Sequence, residues 1–107
     1  MIEDFEISQM LSALDGLAAS SEIQRASDFP PEELRLIWED VFVLFDSRVG
    51  EMTGKLAQEA DAIRAFDDYL WSLPAEPDPM WHRDNLDKRP WPEIRHKASD
   101  LQRQLQA

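Results

Sequence analysis

The placement of proline constrains this chain more than any other feature. Two of its seven prolines stand together at Pro30 and Pro31, and the other five (Pro74, Pro77, Pro79, Pro90 and Pro92) crowd between residues 74 and 92. Proline has no N–H to donate and clashes with the preceding helical turn, so it is tolerated in the first turn of a helix or outside helices altogether. Long helices are therefore confined to the stretches before residue 30, between 32 and 73, and beyond 92.

Hydrophobic spacing fills those stretches. Phe5, Met10, Leu11, Leu14, Leu17 and Ala18 make one apolar stripe and predict a helix over residues 4–25, weakened by Gly16 and the A-A-S-S run at 18–21. A break is expected between Ala26 and Phe29. A second helix is predicted over 31–50, with Ser27 or Asp28 as its cap, proline in its first turn, and Glu32 and Glu33 complementing the positive end of its dipole. Leu34, Ile37, Trp38, Val41, Leu44, Phe45, Val49 and Met52 hold the helical period, and Phe42 and Val43 widen that face, so this helix is expected at the centre. V-F-V-L-F at 41–45 also fits a buried strand, but the charges at helical spacing on both sides favour helix.

Gly50 and Gly54 mark either a turn or a bend in one long helix. A third helix is predicted over 55–73 from Leu56, Ala60, Ile63, Phe66, Leu70 and Leu73, and Pro74 ends it. Residues 74–90 have no period and read as an extended loop, long for a connection in a small domain. Trp91, Ile94, Ala98, Leu101 and Leu105 then form a narrow heptad-like seam on a last helix over 91–106. The expected fold is all-α: a single helical domain over residues 1–107, built as a small four-helix bundle with a long proline-rich loop before the C-terminal helix. Trp38 and Trp71 extend the apolar faces beyond what one small bundle covers, so a homodimer is expected.

Charge narrows the partners. The net charge is −11, and it is uneven: residues 1–79 carry 18 acids against 5 bases, whereas residues 80–107 carry 4 acids against 6 bases. Such a body is not expected to bind nucleic acid directly or an anionic membrane through bulk electrostatics. The absence of cysteine excludes disulfides, thiolate zinc sites and cysteine nucleophiles. An acidic opening, M-I-E-D-F-E, and apolar runs too short to span a bilayer lead to a cytoplasmic expectation.

Few constellations suit catalysis. Glu93 and His96 make one E-x-x-H pair, but carboxylate-bridged metal bundles need two, and Pro79 stands three residues before His82. The acid pairs Glu3/Glu6 and Asp84/Asp87 have the spacing of magnesium ligands, one near the chain start and one in the loop. Arg89 to His96 is similar in spacing to the R-x4–6-H motif of HEPN-type ribonucleases, with Pro90 and Pro92 inside the interval and no polar residue after the arginine. No serine sits in a glycine-flanked elbow, and the isolated glycines cradle no phosphate. No cofactor or metal is therefore expected.

The expectation that remains is an acidic, non-enzymatic protein that binds and inhibits or neutralises a basic protein, of prokaryotic or phage origin. In composition it resembles immunity proteins that neutralise basic nuclease toxins and phage inhibitors that mimic DNA, which use a negative surface for speed and specificity. The expected partner-binding residues are Glu32, Glu33, Glu39, Asp40 and Asp46 on the second helix and Glu59, Asp61, Asp67 and Asp68 on the third, with Trp81 and Trp91 as aromatic anchors. The alternatives are a HEPN-like nuclease or metal-dependent hydrolase acting through Arg89, Glu93 and His96, and a structural or assembly component. The favoured reading of the loop itself is a strap, in which Trp81 and Trp91 plug the bundle and Arg83, Lys88 and Arg89 lie over the acidic faces of the second and third helices.

Overall fold

The stretches that proline leaves open fold as helices. A computed structural model describes residues 2–75 and 77–107, and among them six α-helices occur: α1 (Ile2–Ala18), α2 (Ser21–Ala26), α3 (Pro31–Arg48), α4 (Lys55–Gln58), α5 (Ala60–Trp71) and α6 (Trp91–Gln106). Three short 3-10 turns, Val49–Glu51, Pro79–Trp81 and Arg83–Asn85, complete the regular structure, with no strand among the described residues. The protein is all-α, and no described helix is long and apolar enough to cross a membrane.

Local chemistry explains where the helix limits depart from the periodic reading. The helix expected over 4–25 is two helices, because Ser20 is extended and its hydroxyl accepts the Ile23 N–H at 3.2 Å, starting α2 afresh. The break expected after Ala26 is also present. Neither Ser27 nor Asp28 caps α3: Pro30 precedes its first turn, and the Ser27 hydroxyl accepts from Phe29 N–H at 3.1 Å instead. Gly50 and Gly54 bracket a turn, not a bend. The Gly54 N–H donates to both carboxylate oxygens of Glu3, at 3.0 and 3.2 Å, and a Cβ there would lie 2.7 Å from Glu3 Oε1. The third stretch is interrupted at Glu59, so α4 and α5 share it.

Neighbouring long helices run antiparallel. Glu6 of α1 meets Arg48 of α3, while Gly16 lies against Leu34 at the other end. Asp15 of α1 takes a hydrogen bond from Gln102 of α6, and the Ala19 carbonyl takes one from Arg95, two turns earlier on α6. On α5, Asp67 meets Trp38 and Arg64 meets Asp46 of α3. The core between them holds Met10, Leu14, Leu17, Trp38, Phe45, Ile63, Leu70 and Ile94, with the Trp38 and Phe66 rings edge to face at 4.9 Å.

Of the segment 74–90, expected as extended loop, the described residues 74–75 and 77–90 are folded onto this body. Asp78 and His82 act as caps: the Asp78 carboxylate accepts Met80 N–H at 2.9 Å and His82 Nδ1 accepts Asp84 N–H at 3.1 Å. Each starts a 3-10 turn. The Trp81 and Trp91 rings meet edge to face at 5.7 Å, and their indole N–H groups donate to the Pro74 and Met80 carbonyls at 2.8 and 2.7 Å.

The ends of this segment are held by arginine. Arg83 donates to the carbonyls of Arg25 and Ser27 at 2.8 and 2.7 Å, and Arg25 pairs with Asp87 at 2.8 Å. Hydrogen bonds from Ser21 and Arg25 hold the Asp87 carboxyl below its ordinary value. Arg95 donates to the Ala19 carbonyl, to Gln24 Oε1 and to the Leu86 carbonyl, while buried Gln24 donates to the Gly16 and Leu17 carbonyls. The Gly16 and Leu17 carbonyls are among those that the end of α1 leaves without helical partners.

This clasp yields the first prediction. Arg95→Met leaves several acceptors without a donor and should lower the unfolding free energy by about 1.5–3 kcal/mol in urea. Arg95→Lys should recover only part, because one ammonium cannot span three acceptors. A loss within about 0.5 kcal/mol, the level of an ordinary surface change, would show that the clasp is not structural.

Candidate partner-binding surface

The acidic residues lie along α3 and α5, and the helices place them unequally. Glu32 and Glu33 occupy the first turn of α3, where the helix dipole favours them. Asp40 is exposed and Glu39 half-buried. Asp46 pairs across to Arg64 at 3.4 Å, and Glu59 pairs with Lys55 at 3.8 Å. Asp61 and Asp68 are exposed on α5.

Three expected contact residues face inward. Trp81 and Trp91, expected as anchors, are 5% and 0% exposed, because their rings close the core under the folded loop. Asp67 is 8% exposed, and its carboxylate accepts the Trp38 indole N–H at 3.0 Å. Trp38, expected to extend an apolar face towards a second copy, is fully buried for the same reason, whereas Trp71 remains half exposed.

Burial pushes the Asp67 carboxyl above its ordinary value of 3.8, and the negative charges of Asp68 and Glu39 push it the same way. Hydrogen bonds from Trp38 and Trp71 oppose that rise. The helices therefore bring Glu39 of α3 close enough to repel Asp67 of α5, which spacing along the chain does not reveal.

One arginine is drawn inward. Arg35, which no sequence reading singled out, is buried with its guanidinium over Trp71 at 4.2 Å and over Trp81 at 5.1 Å, and it donates to the Pro74 carbonyl at 3.4 Å. Its position on the Pro31, Leu34, Trp38 stripe was the available signal. Buried Glu6 takes Arg48 at 2.9 Å through Oε1, while its Oε2 has no hydrogen-bond partner among the described residues.

Apolar side chains appear where acids were expected alone. Phe5, Leu36, Val43 and Leu44 are exposed, although Phe5, Val43 and Leu44 had been read as core. Leu36 and Val43 each stand two residues before a buried aromatic, Trp38 or Phe45, and two residues are about 200° around a helix. They face away from the core.

The residues weighed for catalysis serve other contacts. The Glu93 carboxylate lies beside the Tyr69 hydroxyl, and burial together with that negative charge pushes the Tyr69 phenol up to about 12. His96 faces Asp100 at 3.2 Å and His82 faces Asp84 at 3.4 Å, both histidines exposed. Arg89 is exposed, and among the described residues no hydrogen bond or ion pair ties it to Glu93 or His96. No group of three or more histidines and carboxylates gathers at metal-binding distance among those residues.

Asp67 supplies a pH prediction. Its raised folded value means that the folded state binds more protons between 3.8 and that value, so the contribution of Asp67 to stability falls as pH rises through this window. Asp67→Asn keeps an acceptor for Trp38 and does not titrate. It should therefore gain stability relative to the parent as pH rises from 3.8 towards neutrality, while Asp67→Ala should cost about 1–3 kcal/mol near pH 3.8 and less as pH rises. Thermal unfolding across that range checks both, and an Asn advantage that grows on acidification would contradict the sign. Comparison of the chain with protein-family models, with curated proteins and with solved structures returned no match.

Proposed function

We propose that this protein is a non-enzymatic, acidic interaction protein that binds a basic protein through the outer faces of α3 and α5 and inhibits or neutralises it. The observation that carries this reading is the separation of charge. Arg35, Arg83 and Arg95 are turned onto backbone carbonyls and indole rings, while Glu39, Asp40, Asp61 and Asp68 stay at the surface of adjacent helices. A clustered negative surface raises the encounter rate with a positive partner and repels wrong ones. In this reading α1, α3, α5 and α6 form a four-helix bundle, an arrangement favoured by their antiparallel pairing, and the proline-rich segment braces it. The same reading places the protein in the cytoplasm of a prokaryote or in a phage-infected cell.

The test is kinetic. A partner captured from the native host should have a high isoelectric point, and its association rate should fall steeply with added salt. Glu39→Lys with Asp68→Lys should slow association at least tenfold at low salt while changing dissociation much less. An association rate insensitive to salt, or to both substitutions, would sink the proposal.

A further inference from the structure

We propose that the groove between α1 and α3 receives an apolar residue flanked by lysine or arginine on an amphipathic segment of the partner. This deepens the acidic-face reading and rests on it. The groove encloses about 330 Å³, with Phe5, Val41 and Leu44 as its apolar wall and Glu6, Asp40 and Arg48 at its polar edge. Phe5 is 63% exposed and Leu44 48% exposed, so the wall is open to solvent.

Two further observations define the occupant. Glu6 is 4% exposed, and its Oε2 lacks any donor among the described residues even though Oε1 holds Arg48. A buried carboxylate oxygen without a donor is costly, and a donor brought by the partner relieves that cost. With Arg48 paired to Glu6, Asp40 is the charge left exposed without an ion pair among the described residues at the polar edge. A wholly apolar occupant would desolvate Asp40 without pairing it and leave Glu6 Oε2 without a donor. A wholly cationic one would leave Phe5 and Leu44 wet. A second copy of the chain brings the same carboxylates and its own net charge of −11, which opposes self-pairing here. Only a cationic, amphipathic segment satisfies both walls.

The probe is a pair of synthetic helical peptides of equal charge, one of lysine and leucine in amphipathic order and one of lysine and serine, titrated into isotope-labelled protein. The Lys/Leu peptide should bind at least tenfold tighter and shift the amide signals of Phe5, Gln9, Asp40 and Leu44. Phe5→Ser with Leu44→Ser should abolish that preference while leaving binding of the Lys/Ser peptide unchanged. Both side chains are exposed, so the fold should tolerate the change, and Leu44→Ser alone gives the same readout should the double variant lose helical circular dichroism. Equal binding of both peptides, with shifts confined to Glu39 and Asp68, overturns the groove and leaves the acidic face standing. Failure of both peptides to bind overturns both proposals. Groove signals that move when the protein alone is concentrated assign the groove to a second copy and also overturn it.

Discussion

The guanidinium of Arg95 is the contact on which the rest of the structure depends. It sits where α1 ends, α2 begins, the proline-rich segment returns and α6 starts, and it bonds to acceptors from three of them. Gln24 works beside it, donating into the last turn of α1 while accepting from Arg95. A helix end that is buried without donors would be costly, and here two side chains remove that cost. Burial keeps the guanidinium below its ordinary value without threatening its charge, since arginine stays protonated at any physiological pH.

That clasp has a consequence for the surface. A chain twice as rich in acids as in bases has few cations to place, and this fold commits three arginines to its own carbonyls and rings, with Arg35 buried. Arg95 and Arg83 tie the segment before α6 to α1 and α2, and Arg35 lies between two tryptophan rings. The acids of α3 and α5 are left with fewer countercharges than composition alone implies. Asp67 is the exception, turned inward as the acceptor for a buried indole, and its raised carboxyl records the strain of that position. Stability and surface potential thus come from one distribution of charge.

Much of the fold was legible in the sequence. Proline placement marked the long helices, and the stripes Leu34, Trp38, Phe45 and Ile94, Ala98, Leu101, Leu105 are core as their spacing implies. What escaped was set by short-range polar chemistry. Ser20 starts a second helix within an apolar stripe, and Glu3 holds the Gly54 amide from across the molecule. The candidate surface was less legible still. Acids were assigned to it by helix, but whether a given carboxylate points out, as Asp68 does, or in, as Asp67 does, depends on which neighbour covers it.

The proline-rich segment draws the line most clearly. Its residues determined on their own that no long helix forms between 74 and 90, because proline removes the N–H donors that a helix needs. They also marked its tryptophans and arginines as strap or anchor, with the strap favoured. Tertiary structure made the choice: the Trp81 and Trp91 rings are buried edge to face, and Arg83 reaches residues far distant in sequence. An indole on a loop is equally able to plug its own core or a partner's. Only the presence of backbone carbonyls at Pro74 and Met80, positioned by the folded chain to receive the two N–H groups, turns both inward.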